Sequence, residues 1–210
     1  MSKQKVRSKA TDLKEYGKKR DFRRTPEPRG KKGSKNDSPI FVIQKHDATS
    51  LHYDVRLEID QVLVSWAVPK GPSTDPGEKR LAIRTENHPL DYADFEGVIP
   101  QDEYGGGTVL VWDTGTYRNL KEENDDSDEV KSMNQCLEDG HITVWLDGEK
   151  LKGGYSFIQT KRPDRKGDQW LMIKMKDEKA DARRNPVSTE PKSVLSGDTL
   201  DTIRDEMKEE

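Results

Sequence analysis

The stretch from Phe41 to Glu58, Phe-Val-Ile-Gln-Lys-His-Asp-Ala-Thr-Ser-Leu-His-Tyr-Asp-Val-Arg-Leu-Glu, gathers most of the residues able to do chemistry. In an extended strand, alternate side chains point to opposite faces. From position 52, one face then carries His52, Asp54, Arg56 and Glu58, and the other carries Tyr53, Val55, Leu57 and Ile59. Four ionisable groups in register opposite an apolar face exceed what a solvated strand needs. A His-x-Asp pair sets imidazole and carboxylate roughly 7 Å apart at their Cβ atoms, close enough to converge on one ion. His46 lies just before a turn at Asp47–Ser50, so a hairpin folds it back beside His52. Two imidazoles and a carboxylate suit manganese, iron or zinc and leave positions open for water and substrate. Arg56, one step further along the face, offers a fixed fork to a phosphate bound there. A surface His–Asp pair is the competing reading. Against it, two of the four histidines fall in this hairpin, and a third, His88, follows another strand in Thr-Glu-Asn-His-Pro-Leu-Asp-Tyr.

Other polar features are plainer. His141 opens a strand without polar company and reads as a surface histidine. Gly105-Gly106-Gly107 lacks the strand-before, helix-after setting of a nucleotide fingerprint and reads as a flexible turn. Pro69-Lys70-Gly71-Pro72 is a turn that offers Lys70 as a phosphate contact. Glu122–Glu129 is an acidic surface loop without the glycine and spacing of a calcium loop.

The elements that must position these groups are mostly strands. Apolar and aromatic runs recur at 41–45, 52–59, 62–68, 80–85, 108–113, 142–146, 154–160 and 170–175, separated by Gly, Pro, Asn and Asp. About eight short strands of this kind predict a mainly β chain, a compact barrel with short flanking helices. One helix is expected from Asp12 to about Gly17, with Glu15 closing a capping box, and another from about Asp128 to Asp139, stopped by Gly140. Of the 210 residues, 37% are charged and 30% hydrophobic, about 38% with the 16 glycines counted, against ~45–50% in globular domains. A folded body with solvated ends fits this balance: a leader over 1–39, a body over 40–176 and a mobile tail over 177–210.

The net charge of −3 conceals an asymmetry. Residues 1–39 hold 14 Lys and Arg against 5 Asp and Glu, a net of +9, whereas residues 40–175 carry a net of −9. A basic arm suggests a polyanionic partner, and an acidic body a cation. The single cysteine, Cys136, excludes an internal disulfide and a cysteine-rich zinc site. With no signal-peptide core and no apolar run of ~20 residues, a soluble cytoplasmic protein without a membrane partner is expected.

Four motifs together resemble the 3′-phosphoesterase family, a module of the bacterial multi-domain end-joining DNA ligase D that also occurs alone in archaea and some bacteria. They are Gln44-Lys45-His46-Asp47-Ala48, Leu51-His52-Tyr53-Asp54-Val55-Arg56-Leu57-Glu58, Ser65-Trp66-Ala67-Val68-Pro69-Lys70-Gly71-Pro72, and His88 through Pro100. Tyr104-Gly105-Gly106-Gly107-Thr108, Trp170-Leu171-Met172-Ile173-Lys174 and, in the leader, Lys19-Arg20-Asp21-Phe22 with Thr25-Pro26-Glu27-Pro28 extend the match over roughly 12–178. The resemblance implies a β-barrel enzyme that acts with manganese, with cobalt or zinc as substitutes. It implies removal of a 3′-terminal ribonucleoside from a primer, then of the 3′-phosphate left behind. Carried over by position, His46, His52 and Asp54 are the metal ligands, and Arg56 and His88 hold the scissile phosphate beside Tyr92. Gln44 supports them, Lys70 and Arg80 form a basic pair near the phosphate, and Arg20, Asp21, Glu27 and Glu86 match further family positions. With no polymerase or ligase segment alongside, a free-standing enzyme is expected. Its partners would be DNA or RNA/DNA primer 3′ ends and a separate ligase, polymerase and end-binding proteins.

In that reading the ion acts as Lewis acid while Arg56 and His88 stabilise charge, and His88 is placed to protonate the leaving oxygen. The leader binds the primer through phosphate contacts and, through Asp21 and Glu27, helps to organise the site. Two rivals compete. A non-haem iron oxygenase would use His52, Asp54 and a distal histidine, with Arg56 on a carboxylate. A non-catalytic nucleic-acid-binding barrel would need exposed aromatic platforms among basic residues.

Overall fold

All eight expected strands are present in the computed structural model, which describes residues 12–30, 38–123, 130–160 and 168–209. In chain order the strands are β1 (Ile40–Asp47), β2 (Leu51–Ile59), β3 (Val62–Val68), β4 (Lys79–Arg84), β5 (His88–Pro89), β6 (Gly97–Ile99), β7 (Gly107–Asn119), β8 (His141–Gly148), β9 (Lys152–Gln159) and β10 (Gln169–Lys174). Antiparallel pairing runs β1-β2-β3-β4-β10-β9-β8-β7 and returns from β7 to β1, closing an eight-strand barrel. The short β5 and β6, which no apolar run announced, pair with the start of β3 at Val62–Leu63 and the start of β7 at Gly107–Val109. Closure leaves these eight strands without a free edge.

The period-two alternation decides what each face meets. Phe41, Ile43, Tyr53, Val55, Leu57, Val64, Trp66 and Trp112 belong to the main core. The other faces of β1, β3 and β7 contribute Val42, Leu63, Val109 and Val111 to a second apolar layer with Tyr16, Tyr92, Phe95 and Ile99. These strands are therefore buried on both sides, and the 88–99 segment with the leader forms an outer cover. β2 and β3 are joined by a two-residue turn in which Asp60 and Gln61 both have positive φ, 50° and 65°. That geometry matches the right-handed twist of a hairpin.

Several expectations need correction. Helix α1 (Lys14–Lys18) has no capping box. The Lys14 N–H donates to Asp12 Oδ1 at 2.6 Å, and Glu15 pairs with Lys18 at 2.9 Å. A one-turn helix, α2 (Leu120–Glu123), ends β7. Helix α3 spans only Met133–Glu138, because Ser132 caps it: the Gln135 N–H donates to Ser132 Oγ at 3.4 Å, and the Ser132 N–H donates to Gln135 Oε1 at 2.8 Å. Gly140, at φ 72°, follows it as expected. Most of the acidic loop, residues 124–129, lies outside the described residues, as do residues 1–11 and 31–37 of the leader.

The largest departure is the segment after β10. The reading of 177–210 as a mobile tail does not hold for residues 177–209, which dock on the barrel. The Trp112 indole donates to Glu190 O at 2.7 Å, the Val194 N–H donates to Val111 O at 2.9 Å, and Ser193 is buried. Two helices, α4 (Pro186–Thr189) and α5 (Leu200–Glu209), lie within it. α5 buries Ile203 in the main core, and its Arg204 reaches Asp47 Oδ2 at 2.5 Å. Among the described residues, no helix is long and apolar enough to cross a membrane.

Candidate active site

The β1–β2 hairpin sets His46 directly opposite His52 and Gln44 opposite Asp54. The two imidazole centroids are 4.8 Å apart. Asp54 lies between the rings, its Oδ2 3.5 Å from His46 Nδ1 and its Oδ1 3.7 Å from His52 Nε2. One ligand atom from each of the three can be chosen so that all lie within 4.8 Å of one another. His52 Nδ1 lies 2.9 Å from the Ser50 carbonyl and donates to it, which turns Nε2 toward Asp54 as the nitrogen free to ligate a metal. His46 Nε2 is buried with no hydrogen-bond partner among the described residues. Burial pushes the Asp54 carboxyl upward, but Arg56, His46 and His52 outweigh it and hold the group well below the usual carboxylate range. An anionic oxygen and two imidazoles at this spacing fit a divalent transition metal.

Beside the triad lies a cationic shell. Arg56 is 2% exposed and aims four N–H groups at named partners. Its Nε donates to Gln44 Oε1 at 2.8 Å, Nη1 to Ser65 Oγ at 2.9 Å, and Nη2 to Asp54 Oδ2 at 3.1 Å. Nη1 also lies 2.8 Å from His88 Nδ1. Gln44 in turn donates to the carbonyls of Tyr92 and Phe95 at 3.1 and 3.0 Å, which ties the guanidinium to the outer cover. On the far side of His88, Arg20 Nη2 sits 3.3 Å from Nε2. Arg20 is locked by Glu27 at 2.8 Å and Glu86 at 3.2 Å, and Tyr92 donates its hydroxyl to Glu27 Oε1 at 3.0 Å. Both nitrogens of His88 thus face guanidinium donors, while Nδ1 also lies 3.0 Å from the Glu86 carbonyl. Burial first, then Arg56 and Arg20, lower the His88 pKa well below the ordinary histidine value, so the ring is neutral at pH 7.

These groups line one cavity of about 290 Å³, with Tyr104 and Gly105 at its wall. A larger cavity of about 450 Å³ shares Thr85 and Glu86 with it but holds none of the triad. Of the residues singled out in the sequence, His46, His52, Asp54, Arg56, His88, Tyr92, Arg20, Glu27 and Glu86 line the smaller cavity, and Gln44 stands behind it. Three do not line it. Lys70 is exposed in the turn after β3, Arg80 pairs with Glu78 at 2.6 Å beside a separate small cavity, and Asp21 is held by Arg23 at 2.7 Å. His141 is exposed, as expected. Ser65, which meets Arg56 and His88, is a site residue beyond those expected, although a hydroxyl inside the apolar run Val62-Leu63-Val64-Ser65-Trp66 is itself a signal. The triple glycine serves backbone packing. A Cβ on Gly107 would lie 2.3 Å from the Asp47 carbonyl, so only glycine lets β7 start against the hairpin that carries His46.

Residues 44–159 match the profile of the DNA Ligase D 3'-phosphoesterase domain. The chain belongs to this family. Over 192 residues it is 49% identical to the multifunctional non-homologous end joining protein LigD of Pseudomonas aeruginosa, covering 90% of this chain and 22% of that protein. It is 46% identical to the Mycolicibacterium smegmatis protein of the same name over 177 residues, 81% of this chain and 21% of the relative. The Mycobacterium tuberculosis LigD, described as a DNA repair protein, is 43% identical over 171 residues, 81% of this chain and 20% of its own length. The chain therefore spans about a fifth of the length of these relatives. The matched phosphoesterase region contains every residue of the β1–β2 triad, and Arg20 and Glu27 precede it.

Proposed function

We propose that this chain is a manganese-dependent 3′-end-processing phosphoesterase. It removes a 3′-terminal ribonucleoside from a primer as a phosphodiesterase, then the remaining 3′-phosphate as a phosphomonoesterase, leaving a 3′-hydroxyl for repair. The observation that carries this reading is the juxtaposition of the His46–His52–Asp54 triad with Arg56 and His88 in one cavity. Family membership favours phosphoester hydrolysis over the oxygenase and the non-catalytic barrel. Its relatives are named as non-homologous end joining proteins, which supports a role for this chain at DNA ends in end joining; a separate ligase, polymerase and end-binding proteins are the partners this reading calls for.

His46, His52 and Asp54 would hold a divalent ion, which would supply Lewis-acid chemistry at the phosphate. Arg56 contributes a fixed positive charge with one N–H left over: its contacts to Gln44, Ser65 and Asp54 fix the plane before substrate arrives, so little reorganisation accompanies charge development. His88 starts neutral between two guanidinium groups, and an entering phosphate supplies the missing counter-charge. That raises the affinity of the ring for a proton and suits it to donate to the leaving oxygen. The Glu27 and Glu86 carboxylates keep Arg20 in place, so the leader forms part of the wall against His88.

A labelled primer with one 3′-terminal ribonucleotide tests the proposal, incubated with manganese, with and without chelator, using wild type and His52→Ala. Metal-dependent shortening that the substitution abolishes is expected. A wild-type chain that leaves the primer intact would refute the assignment.

A further inference from the structure

Tyr104 is 49% exposed, and it alone among the exposed large hydrophobic side chains of the described residues lines the triad cavity. This ring is held in a set position. The Lys19 ammonium lies 4.4 Å from its centroid and donates to its hydroxyl at 3.1 Å, and that hydroxyl lies 3.4 Å from Glu86 Oε2. Its backbone sits in a tight turn, with the Gly106 N–H donating to Glu103 O at 3.0 Å, and Arg24 of the leader pairs with Glu103 at 2.9 Å. A ring fixed before ligand arrives loses little freedom on binding, which favours a stacking partner. The neighbouring cations Lys19 and Arg20 suit a phosphate-bearing ligand rather than an apolar one.

We infer that Tyr104 is a stacking platform for a nucleobase next to the scissile phosphate, with Lys19 and Glu86 as its positioning residues. The inference rests on the phosphoesterase reading for the identity of the ligand. It assigns the cavity wall a part in holding the end of the strand, separate from the groups that hold phosphate. Base–aromatic stacking is sequence-tolerant because every base has a π-face, so the subsite secures the primer end without selecting its base.

Primers carrying 2-aminopurine at the terminal or the penultimate position report stacking by fluorescence quenching, read without divalent metal so that no turnover is needed. Wild type is expected to quench one of the two primers. Tyr104→Ala should lose the quench, and Tyr104→Phe, which keeps the ring but not the hydroxyl, should retain most of it. In parallel, KM for primer shortening should rise about 10-fold in Tyr104→Ala, and that rise should shrink to about twofold when the quenched position is abasic. Quenching that Tyr104→Ala leaves unchanged, or an equal KM penalty on intact and abasic primers, would overturn the stacking role. Wild-type protein that quenches but never shortens a primer would overturn the phosphoesterase reading and leave the stacking role standing.

Discussion

At the scale of single residues, the site is a set of charges that hold one another in place. Gln44 joins Arg56 to the carbonyls of Tyr92 and Phe95, so its loss strands three buried polar groups. Gln44→Leu keeps the volume but not the bonds. It should cost about 1–3 kcal/mol in urea denaturation, because buried groups without partners carry their full desolvation penalty. Turnover should fall about 10–100-fold, as for other supports of a metal site. Asp54→Asn removes the anionic donor and should weaken manganese binding at least about 10-fold in calorimetric titration, since a neutral amide replaces the charge. Unchanged affinity in that variant would place the ion elsewhere. Period two alone made His52, Asp54 and Arg56 legible, and the turn at 47–50 added His46. Arg20, Glu27 and Glu86 were legible only through family resemblance, because contacts such as Arg20–Glu86 span tens of residues and leave no local pattern.

At the scale of elements, the strands are readable as short apolar and aromatic runs bounded by Gly, Pro, Asn and Asp, because β1, β3 and β7 are buried on both faces, while alternation marks β2. β5 and β6 are not, since runs of two and three residues carry no period. α3 starts about five residues later than the acidic residues at 128–129 predict, because Ser132 provides the cap. α5 docks where the sequence predicts only a mobile tail, and it braces the hairpin that carries His46. Ile203 is buried in the main core, and Arg204 pairs with Asp47, the residue after His46. The two contacts should differ in weight. Ile203→Ala removes buried methyl groups and should cost about 2–4 kcal/mol in chemical denaturation. Arg204→Ala should cost less than about 1 kcal/mol, because both partners of that ion pair are more than a third exposed. Equal losses would mean that the ion pair, rather than packing, seats the helix.

At the scale of the whole molecule, the net charge of −3 hides a cationic leader, whose residues 12–30 pack on the barrel, and an acidic body, and the C-terminal segment docks beside them, Val194 joining the layer that holds Tyr16 and Phe22. That segment looked mobile because it has few large apolar residues. Besides the packing of Ile203, its attachment uses backbone carbonyls and buried polar contacts, which sequence periodicity does not register. The junction at Lys174 shows the logic. The Lys174 side chain is 0% exposed, and its ammonium is met by Asp177 Oδ2 at 2.5 Å and by the Gly154 and Met175 carbonyls, each at 3.2 Å. Asp177 also accepts from the Gly154 and Lys179 N–H groups at 2.7 and 2.8 Å. Burial pushes its carboxyl up, but these donors outweigh it and hold the group below the ordinary carboxylate value. The stabilisation is therefore complete above the unfolded value of about 3.9 and is lost as pH falls through the folded one. Asp177→Asn leaves a buried ammonium without its counter-charge and should cost about 3 kcal/mol at pH 7. Urea midpoints at pH 7, 5 and 3 should show a wild-type advantage that is large and constant down to pH 5 and shrinks below about pH 4, as wild-type Asp177 itself becomes neutral. An advantage of the same size at pH 3 and pH 7 would mean that the shape of the carboxyl, and not its charge, anchors the C-terminal segment to the barrel.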